Sequence, residues 1–531
     1  MTPNAIWHSL IALLHLPATP CRGLLCLAPE ALGNAATALY YLAVIVLSIY
    51  GFNAIFMTAL FLWQRRRTGG EGRTVRDEDE PPDWPSVTVQ LPIYNELFVV
   101  ERLIDAACAL DYPADRLTIQ VLDDSTDGTV ALARARVAYH AARGVAITHL
   151  QRADRSGYKA GAMAAGLASA PSNFIAIFDA DFVPPPDFLR RVMPLFIEPR
   201  VGAVQARWGH LNAEYNPITR AQALLLDGHF IIEQTARSRS GLFLNFNGSG
   251  GVWRRQCIEE AGGWQADTVA EDMDLSYRAQ MIGWRIGYLP DVVAPAEIPP
   301  QVMAHKRQQF RWAKGSMQCL LKHAVNLLRS KASPFQRLEG LLHLSGYIVH
   351  PAMTLLVLAS LPAVLTGNVA GLHLGALGLA GFGAPVMFAV SQWCAYPKDW
   401  RRRFAYFGYV AMLGSGLALN NTWAIIEAVL GRDTAFQRTP KFRVEGTRRA
   451  GQSAVYSLPP DWTTWGEIGL ALYASLAAWV ASSRAPGLAP FLWLHAAGFA
   501  YMAWMAFRQT ERPYSPARIV SKKSSAPPVA R

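Results

Sequence analysis

Residues 117–127 read LTIQVLDDSTD. A short run dominated by apolar and β-branched side chains stops at two carboxylates, Asp123 and Asp124, and passes through Ser125, Thr126 and Asp127 into an Ala- and Arg-rich stretch at 130–143. The first part predicts a buried strand and the last a helix. The same grammar recurs on either side. VTVQL at 87–91 runs into Pro92-Ile93-Tyr94-Asn95-Glu96 and a helical pattern at 101–110, and FIAIF at 174–178 runs into Asp179-Ala180-Asp181. Further strands are expected at 146–150 and 201–205, with helices at 161–168 and 187–196. Strands alternating with helices predict a parallel sheet covered on both faces, with its ligand at the carboxyl ends of the strands. Taken singly, Asp123–Asp127 reads equally well as a turn capping a helix, and Asp179-Ala180-Asp181 as a loop. At equivalent strand ends they converge, and converging carboxylates repel unless a cation lies among them.

Around this block the charges disappear. The chain has 531 residues, 51% hydrophobic and only 17% charged, against about 25% charged in an average soluble domain. That excludes a disordered or fibrous chain and argues against a wholly soluble one. No Asp, Glu, Lys or Arg occurs among the 58 residues 340–397, enough for two helical spans of about 20 residues with a turn near Gly367–Gly371. Residues 35–63 form another uncharged stretch, closed by Arg65-Arg66-Arg67, and 468–482 with 485–507 read as a final hairpin of spans. Residues 404–426 are long enough to cross, but one crossing would strand the basic residues beyond Arg432 outside; a re-entrant element broken around Gly414–Gly416 is expected. Residues 1–29 are interrupted by Pro17, Pro20 and Pro29 and read as a surface segment. The basic loops put the block between the first two uncharged stretches on the cytoplasmic side. The expected organisation is a surface segment and first span (1–67), a cytoplasmic domain (68–338), spans with an interfacial element (339–430), a cytoplasmic loop (431–465), a hairpin of spans (466–507) and a basic tail (508–531). A multi-pass protein of a bacterial inner or plasma membrane is expected.

The net charge of +11, with 50 Lys and Arg, is also what a membrane protein with basic cytoplasmic loops shows. The basic residues form no stripe with interleaved aromatics, so nucleic acid is not an expected partner. The six cysteines contain no CxxC pair, and neither a zinc site nor a disulfide framework is expected. Neither GxxxxGK[ST] nor GxGxxG is present, so ATP hydrolysis and dinucleotide binding lose their usual support. Two carboxylates one residue apart, Asp179 and Asp181, suit a hard divalent cation, Mg²⁺ or Mn²⁺, which binds one or two carboxylates plus phosphate oxygens and assists a departing diphosphate. Lys159 offers that diphosphate a point charge. Arg311 beside Trp312, expected at a helix start, offers a fork to phosphate and an indole face to a sugar, though a basic-aromatic pair also suits an interfacial helix.

In order, Asp123-Asp124, Asp179-Ala180-Asp181, Glu271-Asp272 and the Q-x-x-R-W set Gln308, Arg311 and Trp312 make the chain resemble the processive membrane glycosyltransferases of family 2. Phe246-Asn247-Gly248 and Thr439-Pro440-Lys441, similar to the gating loop of cellulose synthases, place it nearest the cellulose-synthase-like mannan and glucan synthases. The resemblance implies an α/β GT-A domain inserted between transmembrane helices. It implies that Asp123 and Asp124 hold the nucleobase end of the donor, that Asp179 and Asp181 hold metal and diphosphate, and that Asp272 is the general base with Glu271 beside it at the substrate. Gln308 and Arg311 would brace the leaving diphosphate, and Trp312 would stack under the acceptor sugar. One displacement inverts the anomeric centre. The expected function is elongation and export of a β-glycan, with UDP-glucose as the first choice of donor and GDP-mannose the second. The rivals are a non-processive glucosyltransferase acting on ceramide or diacylglycerol, and a transporter with a regulatory cytoplasmic block. Ala270 stands where many relatives have Thr, and with no PilZ-like tail, control by a cyclic dinucleotide is not expected.

Overall fold

The computed structural model describes residues 24–67, 83–367, 375–432, 439–446 and 458–510. Most of the expected surface segment, the turn beyond Gly367, Arg438, residues 447–457 and the basic tail from 511 lie outside the described residues. Seven strands form one sheet: β1 (Val87–Ile93), β2 (Leu117–Asp123), β3 (Ile147–Gln151), β4 (Phe174–Ile177), β5 (Val201–His210), β6 (Gly251–Arg254) and β7 (Arg285–Ala296). Their order is β3-β2-β1-β4-β6-β5-β7. The first four strands are parallel, as expected, but β6 runs antiparallel to both β4 and β5. The sheet is therefore mixed, a correction to the all-parallel reading. The reversal places the turn before β6 at the same edge as Asp179. β7 is an edge strand paired only with β5, and its register shifts between Ala206 and Arg207, opposite the interval that contains Pro290. Proline cannot donate to a ladder and is confined to such edges and irregularities.

Strands β1 and β4 are buried on both faces, with Val87, Val89, Leu91, Ile175, Ala176 and Ile177 inaccessible. The polar residues that alternate with them in β1 are paired: Gln90 donates to Gln120 at 3.1 Å, and Thr88 lies 2.9 Å from Thr118. This core holds the ends of β1, β2 and β4 in register, Ile93 opposite Asp123, and so fixes the loops that follow them. The helix expected over 187–196 is split. It ends at Val192 and gives way to a 3-10 turn, Met193–Ile197, whose second residue is Pro194; a proline has no N–H to continue an α-helical ladder.

Among the described residues, three helices are long and apolar enough to cross a membrane: Gly33–Arg67, Gly346–Leu365 and Leu377–Ala395. They match the first expected span and the pair in the uncharged run. The stretches expected as a final hairpin of spans form two helices, Trp462–Arg484 and Ala489–Thr510, which are not among those three. They pack through small residues, Ala474, Ala477, Ala478 and Ala481 against Leu492 and Ala496, which permit close backbone approach. Between these groups the 404–426 segment is helical through Gly414–Gly416, with one non-helical residue at Leu417 where a re-entrant break was expected. Helix Phe407–Gly416 ends at Leu417 and Ala418–Val429 begins after it. A 28-residue helix, Val302–Arg329, runs from the sheet edge beneath the spans.

Candidate active site

One cleft at the carboxyl ends of β1, β2 and β4 is lined by Tyr94, Asp124, Lys159, Asp179, Asp181, Glu271, Asp272, Gln308, Arg311, Trp312, Thr439 and Lys441. These belong to seven stretches of chain that the sequence reading had named separately. Lys159, in the first turn of helix Tyr158–Ser169, is the hub. Its Nζ lies 2.6 Å from Asp179 Oδ1 and 3.7 Å from Glu271 Oε1, and donates to the Gly248 carbonyl at 2.9 Å. Burial opposes its charge, but Asp179 and Glu271 outweigh that and hold the ammonium above the usual lysine range. Lys441 does the same for the second carboxylate, its Nζ 2.5 Å from Asp181 Oδ2. Both members of the Asp-x-Asp pair thus face a lysine.

Asp272 sits in the first turn of helix Glu271–Met281, where the helix dipole favours negative charge. Burial and then the neighbouring Glu271 charge push its pKa up to about 7, with Lys159 opposing. Two glycines make the arrangement possible. Gly248 has φ +77°, and a Cβ there would stand 2.9 Å from Asp272 Oδ2. Gly315 lets helix Val302–Arg329 cross close to Ala270, since a Cβ would meet the Ala270 Cβ at 2.6 Å. That crossing brings Gln308, Arg311 and Trp312 to Glu271 and Asp272. Burial lowers the Arg311 pKa against the pull of Glu271, Asp179, Asp181 and Asp272, which it faces. Its Nη2 donates to Thr439 Oγ1 at 3.0 Å. The motif therefore lies in the third turn of a long helix, not at a helix start.

Asp123 is placed differently from Asp124. Its carboxylate is inaccessible, 2.8 Å from His149 Nε2 and accepting from the Ser125 N–H at 2.8 Å. Asp124 lines the cleft and accepts a fork from Arg152 at 2.9 and 2.5 Å. Pro440, between Thr439 and Lys441, does not line the cleft. Residues missed by the sequence reading complete the walls. Arg155 stacks over the Tyr94 ring at 3.3 Å, and Trp208 approaches Trp312, ring centroids 6.5 Å apart. Glu297 accepts from the Phe442 N–H at 2.8 Å and pins the 439–446 segment. The Arg-on-Tyr pair had a visible signal, two aromatics and two arginines clustered after strand ends; Trp208 had none.

Asp179 and Asp181 fit a hard divalent cation that completes its shell from diphosphate and water. Among the described residues no cluster of three or more His, Cys, Asp or Glu could hold a metal without such help. Below Trp312 the cleft continues into a second cavity of about 440 Å³ that shares Trp208, Asn247, Asp272 and Trp312 with it. Its far wall is made by the spans: Tyr50 and Met57 from the first, Tyr347 and His350 from the second, Met387 and Phe388 from the third.

Residues 84–315 match the family model described as "Glycosyltransferase like family 2". The chain is 40% identical over 314 residues to "Probable glucomannan 4-beta-mannosyltransferase 6" of Oryza sativa subsp. japonica, covering 57% of this chain and 55% of that one. It is 40% identical over 294 residues to "Glucomannan 4-beta-mannosyltransferase 2" of Arabidopsis thaliana, covering 54% and 55%. The chain spans about half the length of these relatives. Among solved structures, "Mannosyltransferase PcManGT from Pyrobaculum calidifontis in complex with GDP-Man and Mn2+" is 23% identical, covers 76% of this chain and 100% of its own, and has a TM-score of 0.49. Residues 84–315 thus carry a family 2 glycosyltransferase domain, similar in sequence to the plant glucomannan mannosyltransferases.

Proposed function

We propose that the protein is an inverting, membrane-integrated hexosyltransferase that adds β-linked mannosyl units from a nucleotide-linked donor to the end of a growing glycan. The observation that carries this is the continuity of the Asp272 cleft with a cavity walled by three candidate spans. A transferred sugar passing from that cleft to this cavity would meet Trp312, whose indole suits stacking on a pyranose face. The domain then lies on the cytoplasmic side, beside Arg65–Arg67 and Arg401–Arg403. The names of the relatives support mannose, so GDP-mannose moves ahead of UDP-glucose, reversing the order expected from the motifs.

Asp179 and Asp181 would hold Mg²⁺ or Mn²⁺, which supplies positive charge to the diphosphate. The rest is done by the chain. Asp124, Tyr94 and Arg155 form the donor end of the cleft. Lys159, Lys441 and Arg311 place three cations around the position of the departing diphosphate, where developing negative charge is stabilised. Asp272 takes the proton from the acceptor hydroxyl as its oxygen attacks the anomeric carbon. The bond to the diphosphate oxygen breaks, its electron pair leaves on the nucleoside diphosphate, and an α-linked donor gives a β-linkage. Incubating the purified protein in lipid with radiolabelled GDP-mannose and, separately, UDP-glucose tests this. The expected result is a long aqueous-phase polymer from GDP-mannose. One sugar recovered in the lipid phase favours the glycolipid transferase, and no consumption of either donor defeats the reading.

A further inference from the structure

Helix Val302–Arg329 carries two buried lysines that flank Gln308, Arg311 and Trp312, and the transfer chemistry uses neither. Lys306 and Lys314 are eight positions and about 12 Å apart along the axis, and their side chains are 1% and 2% exposed. Lys306 Nζ lies 2.7 Å from Glu467 Oε1 and 3.4 Å from Asp461 Oδ1. Asp461 is itself the N-cap of helix Trp462–Arg484. Lys314 Nζ lies 3.1 Å from Glu427 Oε2 and donates to the Arg432 carbonyl at 2.7 Å. Glu427 and Arg432 stand where the chain leaves helix Ala418–Val429, and Asp461 and Glu467 where it enters the next helix. The chain between these two roots contains the segment docked in the cleft. Thr439 meets Arg311 on the same helix, Lys441 meets Asp181, Phe442 meets Glu297, and Glu445 meets Arg102 at 2.9 Å.

We infer that Lys306 and Lys314 are positioning residues of the reaction: they tie both roots of the Thr439–Lys441 segment to the helix that carries Arg311, and so set where Thr439 and Lys441 stand over the donor. Burying an ammonium is costly unless it is paired. Here both pairs span the same interruption in the chain, and the segment between them returns to the helix that holds it. One frame therefore governs three contacts with the donor site. A lysine used only to stabilise the spans would have no reason to sit at both roots. The inference rests on the transfer reading for its kinetic part alone.

The test uses the full chain in lipid. Docking is read by tryptic cleavage after Arg443, which is exposed between buried Phe442 and Val444. Cleavage after Arg143, in the turn beyond helix Thr129–Ala141, reports general loosening. Lys306→Met and Lys314→Met are expected to speed cleavage at Arg443 by at least about tenfold and leave Arg143 unchanged. KM for GDP-mannose should rise by a similar factor, kcat should change far less, and Lys306→Arg and Lys314→Arg should recover most of the loss. Lys306→Met combined with Glu467→Met keeps the site apolar and packed, which buried pairs commonly tolerate; it should fold and still show the fast cleavage. Wild-type cleavage at Arg443 in these variants, or acceleration at both sites in step, overturns the inference. If the wild-type chain consumes no donor while the variants still release Arg443, the transfer reading falls and the tether stands.

Discussion

Lys159 with Asp179 and Lys441 with Asp181 are the same chemical pair held in two ways. Lys159 belongs to the domain. It opens a helix, is shared among Asp179, Glu271 and the Gly248 carbonyl, and its position is dictated by the sheet. Lys441 comes from a segment that joins membrane-proximal helices, 260 residues from Asp181 in sequence. The difference teaches that one cation is part of the site's architecture and the other is delivered to it. A diphosphate arriving with a metal would take Asp181 and leave Lys441 to follow the phosphate, whereas Lys159 has partners enough to stay.

The largest expected effects erase the comparison. Asp272→Asn should lower kcat by about 10³-fold or more, within the range for a general base, with GDP-mannose binding nearly unchanged in a filter or calorimetric assay. Loss of binding along with turnover would assign Asp272 to the donor site instead. Excess chelator should stop turnover as completely, and restored Mn²⁺ should recover it; full activity in chelator would remove Asp179 and Asp181 from that role.

Smaller effects sharpen the contrast. A charge-assisted contact contributes about 1.5–3 kcal/mol, so either lysine replaced by methionine should cost roughly 10–100-fold in kcat/KM. Only Lys159→Met should also lower the apparent melting temperature, by roughly 2–4 °C, because Asp179 and Glu271 then face each other uncompensated. Lys441→Met should melt like the parent. Equal melting shifts in both variants would dissolve the distinction.

The smallest effect is on pH dependence. Asp272 must be ionised to accept a proton, and its pKa is raised to about 7. Activity should therefore fall on acidification through pH 7 and level off above it. Lys159 opposes that rise, so Lys159→Met should move the limb to higher pH and Lys441→Met should leave it in place. A limb that stays fixed in both variants would show that another group titrates.

The same division explains what was legible beforehand. β1, β2 and β4 were readable because an apolar run that ends in carboxylates signals both strand and site. β6 was not, being four residues that open on Gly251 after Gly248 and Gly250, and β7 carries Pro290 and Pro295, which argue against a strand. Asp123 was assigned to the donor, yet the period-2 alternation of a strand sends Asp123 and Asp124 to opposite faces. That signal shows that one of the two must turn away. The span pair in the charge-free run followed from composition, since charged side chains are costly in lipid. The contact between Lys441 and Asp181 had no local signal, because it depends on how helix Val302–Arg329 gathers the two loop roots.

The most direct test is a structure of the Asp272→Asn variant in lipid with GDP-mannose and Mn²⁺. The account predicts the diphosphate among Asp179, Asp181 and Arg311, Lys159 near its present place, Lys441 moved from Asp181 to the phosphate, and the anomeric carbon facing residue 272. A donor bound elsewhere, or Lys441 still seated on Asp181 beneath a fully bound donor, would contradict it.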